Sequence, residues 1–238
     1  MLSLKNLSVT IADKEVLKDI SLDFDLGKNY CIIGQNGSGK SSLAMTIMWN
    51  PKYSIESWVL SIEKKNINKL APNERARLGI FLAFQHIPEI KWVKVFEFLR
   101  SIYDAQKGTT TSFIQFKKII EPLIEELSID KEFLRRDVNV GFSWWERRKL
   151  EVLQIRLLEP KYIFLDEIDS GLDIDAFHQV AGLLQKLDNK KNCIIVITHH
   201  FTILDYIKID KAYLLEKGII KATGDKKLIE EIKKEWFK

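Results

Sequence analysis

The chain has 238 residues, 46% of them hydrophobic and 29% charged, which is enough for one large α/β domain or a core with a smaller lobe. A net charge of +4 is too small to point to nucleic acid or an acidic membrane, and the lysine-rich stretch 226–238 reads as a solvated helix face. Two cysteines, Cys31 and Cys193, lie far apart in apolar runs with no framework spacing, and no apolar run approaches 18 residues. Inert core thiols, no disulfides and no membrane span are therefore expected. The N-terminus lacks the build of a secretion signal, so the expected location is the cytoplasm.

In chain order, strand patterns fall at 2–10, 17–25, 29–34, 79–84, 161–166, 193–198 and 211–223, with helical patterns between the later ones. Such alternation predicts an α/β fold. From about 87 to 156 the pattern changes to helix-like segments at 93–105, 111–127 and 144–158, with no convincing strand. The expected organisation is a nucleotide-binding core, 1–86 and 157–238, interrupted by a helical subdomain, 87–156.

The first chemical motif follows the apolar run Tyr30 to Ile33. Gly34-Gln35-Asn36-Gly37-Ser38-Gly39-Lys40-Ser41 fits G-x-x-x-x-G-K-[ST] and leads into the helical pattern from Ser42. Glycines allow backbone N–H groups to curl around a polyphosphate at a helix N-terminus, where the dipole favours negative charge. Lys40 would bridge β- and γ-phosphates, and the Ser41 hydroxyl would ligate Mg²⁺.

Tyr162-Ile163-Phe164-Leu165-Asp166-Glu167 is an apolar strand ending in two carboxylates. After a phosphate cradle, Asp166 is expected in the metal shell and Glu167 as the general base that activates water. Gln85, closing the strand Ile80 to Phe84, is suited to sensing Mg²⁺ and water. His199, just past the strand Ile194 to Thr198, is placed to reach a γ-phosphate, whereas His200 reads as ordinary.

The series of cradle, Gln85, Ser143, Asp166-Glu167, Ser170-Gly171-Leu172-Asp173 and His199 resembles the ATP-binding-cassette (ABC) ATPases over essentially the whole chain. Gly79 to Gln85, Pro88-Glu89-Ile90, Val138 to Ser143 and Asp166 to Ala176 are similar to the SufC type, which serves iron–sulfur cluster assembly. Asp169 and Ile174-Asp175-Ala176 are the most selective matches; transporter cassettes usually carry Pro-Thr where this chain has Ile168-Asp169. The resemblance implies an N-terminal antiparallel β region, a P-loop core and an inserted helical subdomain. It also implies a head-to-tail homodimer around two ATP molecules that moves SufB- and SufD-like scaffold proteins, gripped by the segment 85–93. Ser143, Trp144, Trp145, Glu146 and Asp173 would then serve the nucleotide across the dimer.

Two departures qualify that picture. Cassettes usually place an aromatic residue against adenine near the N-terminus, whereas Val9-Thr10-Ile11-Ala12 offers apolar contact alone, leaving GTP use open. More seriously, the signature Ser-Gly-Gly-Glu is here Ser143-Trp144-Trp145-Glu146, and two indoles should obstruct backbone approach to a γ-phosphate.

All six tryptophans, at 49, 58, 92, 144, 145 and 236, fall where SufC-like chains usually carry glycine. Eleven glycines make 4.6% of the chain; counting the tryptophans with them gives 7.1%, the usual average being about 7%. One reading is that these codons are UGA, decoded as glycine in the source organism, so that the natural protein is an active ATPase. The other is a divergent homologue with real aromatics, for which ATP binding through Lys40, weak dimerisation and slow turnover are expected. Three functions follow as alternatives: an ATPase of cluster assembly, the ATP-binding subunit of a membrane importer, and a scaffold that holds ATP without hydrolysing it.

Overall fold

A computed structural model of the chain describes residues 1–168, 174–185, 187 and 191–236. They form two compact units, the first built from 1–85, 161–169 and 188–238, the second from 86–160 and 170–187.

The first unit contains two sheets. Strands β1 (Leu2–Ile11), β2 (Lys14–Phe24), β4 (Ser54–Ile62) and β5 (Lys65–Asn66) form an antiparallel sheet in the order β2-β1-β4-β5. Strands β3 (Tyr30–Ile33), β6 (Ile80–Ala83), β9 (Tyr162–Asp166), β10 (Cys193–Thr198), β11 (Lys211–Glu216) and β12 (Ile219–Gly224) form the second sheet, in the order β12-β11-β3-β10-β9-β6. It is parallel except for β12.

The alternation of β1 puts Leu2, Leu4, Leu7 and Val9 into a core shared with Phe24, Tyr30, Phe164 and Tyr213. Phe24 meets Tyr30 and Phe164 edge-on with centroids 5.1 and 5.7 Å apart. Each such side chain, fully buried, contributes about 1.5–3 kcal/mol. β3, β9 and β10 are buried along their whole length, as parallel strands covered on both faces must be, and so read as continuous apolar runs.

The register positions the chemistry. Ile33 pairs with Thr198, Asp166 with Ile197, and Ala83 with Leu165. The carboxyl ends of four neighbouring strands therefore finish level, and the residues just beyond them, Gly34, Gln85, Glu167 and His199, collect at one edge. Helix α1 (Lys40–Ile47) starts there, directly after the cradle.

The second unit holds α3 (Val95–Lys107), α4 (Phe113–Glu126), α5 (Trp144–Leu158) and α6 (Ile174–Gln185). It also holds a two-stranded ribbon, β7 (Ile90–Lys94) with β8 (Asp137–Val138), where the sequence suggested no strand. The two strands lie more than 40 residues apart, and their pairing is anchored by Lys94 and the Trp92 N–H on Asp137, 2.8 and 3.0 Å away, contacts that local periodicity does not report.

The first unit departs from the expected pattern in two further places. β4 and β5 went unrecognised, and the single strand expected at 211–223 is a hairpin turning at Lys217-Gly218, where both residues have positive φ, 47° and 81°. Helix α2 (Pro72–Arg77) precedes β6, and α7 (Lys226–Trp236) closes the described chain. No helix among the described residues is long and apolar enough to cross a membrane.

Candidate nucleotide site

The loop between β3 and α1 can take its shape because of where its glycines stand. A Cβ on Gly34 would come within 2.4 Å of the Leu215 carbonyl oxygen, and Gly39, at φ 107°, caps the helix in a conformation costly for side-chain-bearing residues. The Leu43 N–H donates to the Gly39 carbonyl at 2.9 Å, so the helix begins cleanly. Its first-turn N–H groups are left for an anion.

Lys40, 4% exposed, donates from Nζ to the carbonyl oxygens of Gly34 at 2.9 Å and Gln35 at 3.1 Å. Burial pushes its ammonium below the usual lysine value, against the raising pull of Glu167 and Asp166. Glu167 Oε1 lies 3.6 Å from Lys40 Nζ and 3.0 Å from His199 Nδ1, while Gln85 Nε2 donates to Glu167 Oε2 at 2.6 Å. Ser41 Oγ donates to Asp166 Oδ1 at 3.1 Å. Thus Lys40, Ser41, Gln85, Asp166, Glu167 and His199, from four separate stretches of sequence, form one contiguous polar cluster.

Glu167 has φ 47°, an unusual conformation for a glutamate, and its N–H donates to Ile197 O at 2.9 Å. This hydrogen bond ties the turn after β9 to β10 and aims the carboxylate at Lys40. His200 is separate from the carboxylate cluster; its carbonyl accepts from Thr198 Oγ1 at 3.1 Å and its ring lies on that of His199, centroids 3.8 Å apart.

A cleft of about 630 Å³ opens over this cluster, lined by Asn36, Gly37, Gly39, Lys40, Ser41, Ser42, Gln85 and Glu167. Lys14, Glu15, Val16, Lys18, Lys217 and Gly218 complete it, and sequence reasoning missed all six. Glu15 pairs with Lys18 at 2.9 Å, and Val16 supplies apolar wall from the strand that follows Val9 to Ala12. Lys217 was hidden by the unrecognised hairpin turn. Its neighbour Gly218 donates to Ser38 O at 3.0 Å and accepts from the Lys18 N–H at 2.8 Å, stitching hairpin, β2 and cradle together. Gln35 and Ser38 face a second cavity of about 520 Å³ on the other side of the loop, with Trp236 in its wall.

Ser143, Trp144, Trp145 and Glu146 belong to the second unit, where they open α5. Ser143 caps the helix, its Oγ accepting from the Glu146 N–H at 3.2 Å while Glu146 Oε2 accepts from the Ser143 N–H at 2.8 Å. This capping box needs nothing from the residues between. Partial burial raises the Glu146 carboxyl, but the Ser143 amide and the Arg136 guanidinium outweigh it and hold the group below its usual value. The indoles of Trp144 and Trp145 lie on Arg148 and Lys149, 4.8 and 4.9 Å from their ring centroids. Ser170 to Asp173, and with them the expected contribution of Asp173, lie outside the described residues.

The ABC transporter family matches residues 17–170. The "Probable ATP-dependent transporter SufC" of Escherichia coli (strain K12) is 38% identical, over all of this chain and 97% of that protein. The "Probable ATP-dependent transporter ycf16" of Antithamnion sp. is 41% identical over 94% of this chain and 91% of its own length. A dimeric ATP-binding cassette solved in a post-hydrolysis state with ADP and phosphate superposes with a TM-score of 0.80, covering 94% of this chain and 98% of that one, and at 19% identity it shows the shared fold. The chain belongs to the ABC transporter family of ATP-binding cassettes. Within that family it is a SufC-type ABC ATPase, a nucleotide-binding subunit.

Proposed function

We propose that the chain binds and hydrolyses ATP to drive iron–sulfur cluster assembly in the cytoplasm, on a scaffold of SufB- and SufD-like proteins. The observation that carries this reading is the convergence of Lys40, Gln85 and His199 on the Glu167 carboxylate, with Ser41 on Asp166 beside them. The N–H groups and side chains of Gly34, Gln35, Asn36, Gly37, Ser38, Gly39, Ser41 and Ser42 cradle the phosphates. Lys40 exchanges its loop carbonyls for β- and γ-phosphate oxygens.

Ser41, Gln85 and Asp166 offer the hard oxygen donors that suit Mg²⁺, a metal usually held by one or two carboxylates together with phosphates. Mg²⁺ supplies neutralisation of phosphate charge when bound. Glu167 then takes a proton from the attacking water, and His199 orients against the γ-phosphate. Ser143 to Glu146 and Asp173 complete the site from the opposing subunit of a head-to-tail homodimer.

The segment 85–93, with Ile90 37% and Trp92 90% exposed, grips the scaffold proteins. Cys31 and Cys193 are fully buried, so clusters are held by those partners and not by this chain. The test is ATP turnover with and without a SufB–SufD complex, made with glycine at positions 144 and 145. Stimulation supports the assignment; no stimulation overturns it. Because the relatives' names specify transport, the same assay with an importer permease decides the competing reading. A chain that retains ATP without turnover in either assay is the non-hydrolysing scaffold.

A further inference from the structure

We infer that positions 49, 92, 144 and 145 are glycine in the protein as its own cell makes it, their codons being UGA decoded there as glycine. The backbone carries the case at the first two positions, independently of any function.

Helix α1 ends at Ile47 with Met48 as its cap, and Trp49 follows at φ 57°. The Trp49 N–H donates to Thr46 O at 2.9 Å and the Asn50 N–H to Met45 O at 3.0 Å. These are the two hydrogen bonds of a Schellman turn, and Trp49 sits at its left-handed position, where glycine is the usual residue because a Cβ is penalised. At the same place after α2, following the cap Leu78, the chain has Gly79, at φ 94° and with its N–H on Ala76 O at 2.8 Å.

Trp92 lies in β7 at φ 68°, and with 90% of its surface exposed it gains almost no packing to offset that conformation. Two of six tryptophans are thus left-handed, an outlier conformation for a bulky aromatic residue.

Positions 144 and 145 rest on the ATPase reading above. They are the first two residues of α5, and the cap made by Ser143 and Glu146 is indifferent to their side chains. Glycine there exposes the amides of that first turn to a phosphate. The glycine deficit of the whole chain points the same way.

The remaining two tryptophans differ. Trp58 lies in β4 against the main core, and Trp236 packs on Phe201 with centroids 5.6 Å apart; neither has positive φ. Opposing the inference at 49, that indole lies 4.8 Å from Arg75 and 6.3 Å from Trp58.

The decisive experiment reads the four codons in the gene and the peptide masses of the protein purified from its own organism. UGA codons with glycine masses are expected at all four; a UGG codon or a tryptophan mass at any of them overturns the inference there. Two recombinant variants make an independent test. Trp49→Gly should raise Tm by about 2–4 °C or more, since relief of left-handed strain outweighs the contacts of the part-exposed indole with Arg75 and Trp58; a lower Tm counts against glycine. The double variant Trp144→Gly/Trp145→Gly should raise ATP turnover by about tenfold or more, the scale of restoring backbone donors to a phosphate, and unchanged turnover counts against it. If neither form retains ATP, the ATPase reading fails, while the codons and masses still decide the inference.

Discussion

The two units hold their chemistry in different ways. In the first, the reactive side chains are locked to one another and to the backbone: Lys40 to two carbonyls, Gln85 and His199 to Glu167, Ser41 to Asp166. In the second, the signature's outer residues, Ser143 and Glu146, make a self-sufficient helix cap, and the two half-buried residues between them lie on the buried Arg148 and on Lys149. A cluster of interlocked groups resists substitution at each member, whereas a cap tolerates almost anything at its middle positions. The first unit should therefore lose function with single changes, and the second should fold as well with glycine as with tryptophan.

The sharpest way to break that contrast is Glu167→Gln, which keeps the shape and removes the carboxylate proposed as the base. Turnover should fall by about 10²–10⁴-fold with ATP binding retained, read by single-turnover phosphate release and equilibrium nucleotide binding. Retained turnover would remove Glu167 from its role.

Next in size is Arg75, fully buried, whose guanidinium donates to the carbonyls of Ile47 at 2.6 Å, Asn68 at 2.7 Å and Leu70 at 2.9 Å. Burial lowers its pKa to about 10. Because it ties the end of α1 to the segment between β5 and α2, Arg75→Leu leaves buried acceptors unpaired and should cost about 2–4 kcal/mol in denaturant unfolding. A loss under ~0.5 kcal/mol would mean the carbonyls find other partners.

Glu146→Gln should cost about 1 kcal/mol at neutral pH, since one charged partner of Arg136 is lost at a partly exposed site. The folded-state pKa lies below the unfolded value, so this contribution is complete above the ordinary carboxylate range and disappears as pH falls through the lowered pKa. Thermal melts of the two proteins should converge in acid; a gap that widens there would contradict the assignment. The smallest effect is expected at the thiols. Burial raises the Cys193 thiol far above its usual value, and Cys31 is equally enclosed, so neither should react with a thiol reagent until the protein unfolds.

Much of this was legible without coordinates. The α/β class, the cradle, the carboxylate pair and the helices α3, α4 and α5 of the second unit each leave a contiguous signature, because backbone geometry and phosphate binding act over a few adjacent residues. Helix α5 was expected at 144–158 and runs Trp144–Leu158. What escaped depends on distant partners: β8 pairs with β7 across more than 40 residues, and Lys14, Lys18 and Lys217 reach the cleft because two hairpins meet over the cradle.

By itself, the order of residues determined which groups are proposed to hold phosphate and a hard cation, and that glycine is scarce where tryptophan is unexpectedly placed. Tertiary structure alone decided that Glu167 faces Lys40, Gln85 and His199 at once, since level strand ends are a property of sheet register. It alone also decided that Trp49 and Trp92 stand in backbone that favours glycine, because φ is imposed by the turn a residue must make and is not written in its side chain.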